Sequence, residues 1–498
     1  MYISKQMFKQ KCKGFNFAFK PIIYLIVKIN NTYYLKNKEK ENKQLLDSIN
    51  KNKLDKNQRK IVLSEEDSTL VIAGAGSGKS LTILARILYL IKNDTNPKDI
   101  LVISFTNEAC NNLKEKLLKN NISTNVLTFH KLGRNILKNN GYSVNLVKEN
   151  ILEEIVSKVL KKTELTYCAK DKNLIKLLTT FINLFKGNGY AETKFNDFEN
   201  QNKKEKGYLK DRNKELLFLA KQIFYEYQYY LEKNKNIDFH DMINKSIEIV
   251  QSKGIYSYKY IIVDEYQDTS LIKCKLLQTI KQKTKANLLA VGDDFQSIYQ
   301  FTGSNLNVFI KFEKYFPNCK TFKLTTTYRN SRELLKITNN FILKNPKQIY
   351  KILTSSKEMK NPICICYYQK DYTKAVKILK QKIKGNTLIL GRNNKDLKNI
   401  QGNTMTVHKS KGLEADNVIV VNLKDSVSGF PNKIKNDNFL NYVLNQKDTY
   451  PFEEERRLFY VALTRTKNKT YLLTDKNNPS QFVLELINDN PNIEIIYL

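Results

Sequence analysis

The run Ala73-Gly74-Ala75-Gly76-Ser77-Gly78-Lys79-Ser80 constrains this chain more than any other stretch. An apolar segment, Thr69–Ala73, leads into it, and apolar residues recur at helical spacing over Leu81–Ile91 behind it. A strand, a glycine-rich turn and a helix in that order let backbone N–H groups wrap phosphate oxygens at a helix N-terminus. In that setting Lys79 neutralises the terminal phosphates of a nucleotide, and the Ser80 hydroxyl ligates Mg2+. Ala73 stands where the general pattern has glycine.

The same texture continues around the loop. Buried-strand runs are expected at Ile100–Phe105, Val126–Phe129, Tyr258–Asp264 and Asn287–Gly292, with a helix over Glu108–Leu118. Further strands are expected at Ile363–Tyr368, Thr387–Leu390 and Asn417–Asn422. Short apolar runs alternating with helical periods predict parallel sheets with crossover helices. Residues 131–236 break the alternation: Ile151–Leu160, Leu174–Leu184 and Leu216–Leu231 all read as helices, so this block is a helical insertion. The divisions expected are an extension over 1–50 with no assigned role, a first α/β domain over 51–130 and 237–315 interrupted by the insertion over 131–236, and a second over 316–498.

Composition narrows the partner. Lys plus Arg is 84 against 49 acids, a net charge of +35. Such an excess favours a polyanion, because each neutralised phosphate releases counterions. Lys, Asn and Ile are abundant throughout, so part of the charge also fits compositional drift. The 7 cysteines, Cys12, Cys110, Cys168, Cys274, Cys319, Cys364 and Cys366, form no C-x-x-C pair. They predict neither a zinc site nor an iron–sulfur cluster, and an odd count suits a reducing cytoplasm. The apolar run Ile22–Val27 is too short to span a bilayer and reads as a core strand or helix segment; no signal peptide or membrane contact is expected.

Asp264 and Glu265 end the apolar run Ile261–Val263. One acid can hold Mg2+ while the other orients and deprotonates an attacking water. Together with the loop they supply the cradle, metal and water-positioner that phosphoryl transfer requires.

At this point the chain resembles the UvrD/Rep-type superfamily one helicases. Asp264-Glu265-Tyr266-Gln267-Asp268 resembles their second motif, and Val291-Gly292-Asp293-Asp294-Phe295-Gln296-Ser297-Ile298-Tyr299 their third. Thr327-Tyr328-Arg329 resembles the fourth, Thr406 to Glu414 the fifth, and Glu454 to Arg465 the sixth. Gln58 resembles the adenine-reading glutamine upstream of the loop. Ser104 to Ala109 and Thr128-Phe129-His130 resemble motifs that touch single-stranded DNA, and Asp238-Phe239 the segment leading back into the first motor. The likeness covers residues 54–473.

The resemblance implies an α/β fold of two RecA-like P-loop motor domains with ATP and Mg2+ between them. Its nucleotide site takes in Gln58, the loop from Ala73 to Ser80, Tyr328 stacking on adenine, Gly412 and Glu414. Ser80 and Asp264 hold the metal. Lys79, Glu265, Gln296 as sensor, and Arg329 and Arg465 reaching the γ-phosphate from the second domain carry the chemistry. On the DNA side it implies Phe105, Thr106, Asn107, Thr128, His130, Tyr299, Phe301, Thr406 and His408. Phe301 stands where many relatives have Trp, and this chain has no Trp at all. His240 is expected to be structural.

Residues 330–405 leave no room for the large insertion that UvrD carries between the fourth and fifth motifs. Their spacing resembles the helicase IV branch instead, as do Phe301-Thr302-Gly303, Ser428-Gly429-Phe430-Pro431 and Asn478-Pro479-Ser480-Gln481-Phe482. The chain stops soon after the sixth motif, so no fused nuclease is expected. The activity implied is 3′ to 5′ movement on single-stranded DNA, with unwinding at single/double-strand junctions in repair or recombination. The expected particle is a cytoplasmic, nucleoid-associated monomer or weak dimer, with repair or defence proteins as further partners. A translocase that strips proteins with little unwinding, and a non-catalytic nucleic-acid scaffold, are the alternative readings.

Overall fold

A computed structural model describes residues 20–163, 166–444 and 450–498, together with Ile3 and Met7. Cys12 and part of the 1–50 extension lie outside the described residues.

Two all-parallel sheets organise the chain. In chain order the strands are β1 (Ser68–Ala73), β2 (Ile100–Ser104), β3 (Asn125–Thr128), β4 (Tyr260–Val263), β5 (Asn287–Gly292), β6 (Lys320–Leu324), β7 (Ile363–Tyr368), β8 (Thr387–Gly391), β9 (Thr404–Thr406), β10 (Ala415–Leu423), β11 (Thr466–Asp475) and β12 (Glu494–Tyr497). The first sheet has the order β3-β2-β4-β5-β1-β6 and the second β12-β7-β11-β10-β8-β9. β1 and β2 are buried along their whole length, because crossover helices cover both faces of a parallel sheet. The expected fold class is therefore present: two RecA-like sheets flanked by helices.

Parallel order has a functional consequence. β4, β5 and β1 lie side by side, and their carboxyl ends open on one edge, where ligands bind in open α/β sheets. The phosphate-loop sequence leaves β1, the Asp264–Glu265 pair leaves β4, and the Asp293–Asp294 pair leaves β5.

The structure moves two boundaries and places one apolar run differently. β6 pairs with β1 from Thr69↔Lys320 to Ala73↔Leu324, so the first sheet runs past 315 and the second domain starts after Leu324. β6 alternates and is largely exposed, so it shows no apolar run. The helix Phe129–Asn139 packs Leu132, Ile136 and Leu137 into the first motor's core, so the insertion starts after it rather than at 131. The run Ile22–Val27 is helical, within Lys20–Glu41, but Tyr24, Leu25 and Ile26 are exposed and form no core.

The insertion is built from the helices Ile151–Lys161, Lys172–Gly187, Lys194–Asn202 and Tyr208–Lys233 around Phe181, Phe185, Phe195, Phe198 and Phe224. Its core has one more source. Between β10 and the helix Glu453–Leu463, the chain crosses to the insertion and lodges the short 3-10 helix Asn438–Tyr442 there. Phe439 stacks on Phe181 at 4.4 Å, Arg212 grips Asp437 with both terminal nitrogens, and Asn188 Nδ2 donates to the Val443 carbonyl at 2.8 Å. Lys186 ties the insertion back to the first motor, 2.6 Å from Asp238 and 2.7 Å from Asp241. Among the described residues no helix is long and apolar enough to cross a membrane.

Candidate nucleotide cleft and nucleic-acid interface

The loop after β1 turns through the left-handed region at Gly76 (φ +69°) and Gly78 (φ +79°), which glycine adopts without steric penalty. Space is equally restricted. A Cβ at Gly76 would lie 2.5 Å from Arg329 Cβ, and one at Gly78 would lie 2.5 Å from Gln58 Nε2. Gln58 is buried and fixed by a capping box with Asp55, and its Nε2 donates to the Ser77 carbonyl at 3.3 Å. From the far side, Thr327 Oγ1 donates to the Ala75 carbonyl at 2.7 Å and Tyr328 N to the Gly76 carbonyl at 3.0 Å. Tyr328 Oη donates to Asp55 at 2.8 Å while its ring stays 57% exposed beside Gln58. The helix Lys79–Lys92 starts directly behind the loop and aims its N-terminal N–H groups at it.

Lys79 Nζ lies 3.2 Å from Glu265 Oε1. Burial raises the Glu265 carboxyl, but the ammonium groups of Lys79 and Lys411 outweigh it and hold it down at about 2. Burial and the adjacent Glu265 charge push Asp264 up to about 6. Gln267 Nε2 donates to Glu265 at 2.5 Å, and its Oε1 accepts from Asp293 N at 2.9 Å, joining the ends of β4 and β5.

Gln296 is the crossing point. Its Nε2 donates to Asp293 Oδ2 at 2.6 Å, its Oε1 accepts from Arg465 Nη2 at 2.8 Å, and its carbonyl accepts from Lys411 Nζ at 2.7 Å. Lys411 also pairs with buried Asp268. Burial and neighbouring Arg329 bring the Arg465 guanidinium down to about 9. Arg329 Nε is paired with Glu414 at 2.8 Å, and Glu414 also meets Lys467 at 3.2 Å. Gly412 (φ +89°) has open space where a side chain would stand.

The fit to a nucleotide rests on this geometry. Ser77 Oγ is buried with no hydrogen-bond partner among the described residues, inside a loop too tight for side chains at Gly74, Gly76 and Gly78. For a magnesium ion, the exposed Ser80 hydroxyl and the Asp264 carboxylate are the donors at hand. A hard cation of that size takes one or two protein oxygens and completes its shell with phosphate and water.

A row of aromatic rings lies beyond the cleft. Phe105 stacks on Tyr299 at 5.2 Å, Tyr299 lies 6.1 Å from Phe301, and Phe301 meets His408 edge-on at 5.5 Å. Tyr299 Oη donates to the His408 carbonyl at 3.1 Å. The row therefore takes rings from both motor domains, and Phe301 is 59% exposed on it. His130 stands apart, against Phe239 at 4.8 Å. Thr106 and Thr128 cap the helices beginning at Asn107 and Phe129, so their hydroxyls are held by backbone N–H groups. Those N-termini point polar backbone toward the same face, a setting for phosphate contacts. Thr406 ends β9 close to His408.

Reading motifs residue by residue overlooked several groups that the fold brings in. Gln267, Asp268, Asp293 and Lys411 lie inside recognised motifs but had no role assigned. Lys273, 5.2 Å over the Phe105 ring, and Lys351 lie outside every motif.

Comparison with known proteins agrees with this geometry. Residues 54–317 match the UvrD/REP helicase N-terminal domain and residues 367–477 the UvrD-like helicase C-terminal domain. Two RecA-like sheets with a nucleotide cleft between them define a P-loop motor, and the chain belongs to the UvrD/Rep helicase family. It is 28% identical to DNA helicase IV of Escherichia coli over 482 residues, covering 86% of this chain and 69% of that protein. It is 30% identical to ATP-dependent DNA helicase PcrA of Leuconostoc citreum, covering 61% of this chain and 40% of the relative. It is also 30% identical to ATP-dependent DNA helicase Rep of Buchnera aphidicola subsp. Schizaphis graminum, covering 65% and 49%. The chain thus spans about half the length, or less, of the latter two relatives.

Proposed function

We propose that this chain is an ATP-driven motor that moves 3′ to 5′ along single-stranded DNA and separates strands at junctions. One observation carries the coupling of nucleotide to DNA, while the direction rests on the family resemblance. The segment after β5 runs from Gln296, which bonds Arg465 across the cleft, to Tyr299 and Phe301 in the aromatic row. A change at the γ-phosphate position therefore reaches the bases through three to five residues of backbone.

Bound ATP would supply the phosphoanhydride, and a Mg2+ held by Ser80 and Asp264 would neutralise charge developing on its phosphates. The protein's own contributions follow from position. Lys79 leaves Glu265 for phosphate oxygens. Losing that cation raises the Glu265 carboxylate toward the range of a useful base, where it orients water and accepts its proton. Arg465 and Arg329 stabilise transition-state charge when the second domain closes. Gln58 and Tyr328 hold adenine. Phe105, Tyr299 and Phe301 stack bases without regard to sequence, as a translocase requires. Repair or recombination in the cytoplasm, at the nucleoid, is the setting we infer.

ATP turnover by purified protein, with and without single-stranded DNA, tests the motor reading. We expect strong stimulation by DNA, loss of turnover on chelating Mg2+, and loss in Lys79→Ala with most DNA binding kept. Absence of DNA-stimulated turnover in the wild type would favour a scaffold. Duplexes with a 3′ or a 5′ tail then test direction. Hydrolysis without strand release on the 3′-tailed substrate would favour a protein-stripping translocase.

A further inference from the structure

The segment Ile349–Thr354 follows the helix Arg332–Ile342 and belongs to none of the motifs above. It is extended and strictly alternating. Lys351 and Leu353 are 1% and 3% exposed, while Tyr350 and Ile352 are 64% and 54% exposed. Its outer edge is pinned beside β6: Thr354 N donates to the Thr325 carbonyl at 2.8 Å, and Lys323 Nζ to the Tyr350 carbonyl at 2.8 Å. Its inner face looks into the nucleotide cleft. Leu353 lies against the phosphate loop so closely that a Cβ on Gly74 would be 2.3 Å from its Cδ2.

Lys351 is the unusual member. Its ammonium is fully buried, 3.0 Å from Asp293 Oδ1, paired with Asp294, and 3.4 Å from the centre of the Phe295 ring. Ile349 N also donates to Asp294 Oδ2 at 2.7 Å. Burying a lysine with two carboxylates carries a large desolvation penalty, and replacing such groups with apolar ones is often neutral or stabilising. A role beyond packing is therefore the economical reading, and the next bond in the chain supplies it.

We propose that Lys351 is a positioning residue for the γ-phosphate sensor: it anchors the Asp293 carboxylate, Asp293 takes the Gln296 amide nitrogen, and the amide oxygen is thereby turned to Arg465. The amide has two ends with opposite hydrogen-bonding character, so whichever end Asp293 binds decides what Arg465 meets. Asp293 is also faced by Lys79, Arg465 and Tyr460, but each of these belongs to the nucleotide site or its closing helix. Lys351 lies outside both. Without the Lys351 ammonium, Asp293 loses the contact that anchors Oδ1, its Oδ2 is no longer held against Gln296 Nε2, and the sensor loses its fixed orientation. The inference rests on the ATPase reading above.

Lys351→Met keeps length and removes charge. Because it leaves two unmatched acids and can fail to fold, Lys351→Met/Asp294→Asn is made beside it, restoring the net buried charge of the original trio. Steady-state ATP turnover is measured with saturating oligo(dT) and without DNA, together with thermal melting. The folded double variant is expected to keep its KM for ATP within about twofold while the DNA-stimulated kcat falls at least about tenfold. Adding Gln296→Ala is expected to lower kcat no further, because the two residues act in one chain. Unchanged kcat in the folded double variant, a rise in KM that accounts for the loss, or a full additional loss from Gln296→Ala would each overturn the proposal. The wild-type rate tests the motor reading, and the ratio of variant to wild type tests Lys351.

Discussion

The backbone at Glu265 passes through the left-handed region with φ +51°, which costs a residue with a Cβ about 1–2 kcal/mol. The turn sets its carboxylate against Lys79 and the amide of Gln267, and such strain clusters at functional positions. Glu265→Gln keeps shape and loses the base. We expect kcat to fall about 10²–10⁴-fold with nucleotide binding retained, read by single-turnover hydrolysis beside titration with a fluorescent ATP analogue. An unchanged rate would remove Glu265 from the chemistry. His240 offers a second test at this scale. Burial is the main cause that brings its imidazole down to about 4, with Lys186 and Lys273 acting the same way and Asp238 opposing. The unfolded chain takes up this proton near pH 6.5 and the folded one only near 4. Stability is thus lost as pH falls through that window, by up to about 1.4 kcal/mol per pH unit. His240→Gln should flatten urea-unfolding free energy against pH by up to one proton relative to wild type; parallel slopes would refute it. Both residues were visible in the sequence, but only their types were. The cations that surround Glu265 come from Lys79 and Lys411, far apart along the chain and joined only by folding.

At the scale of elements, the aromatic row and the 3-10 helix Asn438–Tyr442 make separate predictions. Removing Phe301 takes away a stacking face, so Phe301→Ala should weaken single-stranded DNA binding by about 1–3 kcal/mol in a fluorescence titration, and Phe301→Trp should tighten it. Equal affinities for all three proteins would place the DNA path elsewhere. Phe439→Ala leaves a cavity under Phe181 and should cost about 3–5 kcal/mol. Hydrogen exchange should then speed up in the insertion helices and in 438–443 together, whereas a change confined to 438–443 would show that the crossing segment does not support the insertion. Most strands were legible because both faces are buried and the apolar run is continuous, as in β5 and β7. β6 was not legible, since Lys320 and Lys323 point outward and the strand forms an edge. The helix Lys20–Glu41 misled in the opposite direction: an apolar run suggests burial, yet Leu25 and Ile26 stay exposed.

For the whole molecule, the charge of +35 bears on how strongly DNA binding responds to salt. Log affinity for single-stranded DNA should fall linearly with log salt, with a slope of about −0.7 for each phosphate contacted. A slope near zero would mean that the excess lysines are compositional and do not meet the backbone. The sequence by itself determined the motifs and their order. The glycine-rich loop, the acid pair after β4, Gln296, Arg329 and Arg465 each lie in a short run of neighbouring residues that can be read without the fold. It also determined the fold class, because helical and strand periods are local patterns. Only the tertiary structure decided which groups face one another. Lys351 meeting Asp293, Arg212 meeting Asp437 and β6 closing the first sheet join positions dozens to hundreds of residues apart. Such contacts form because parallel strand order and the burial of apolar faces bring those segments together, and no local pattern of residues encodes that meeting.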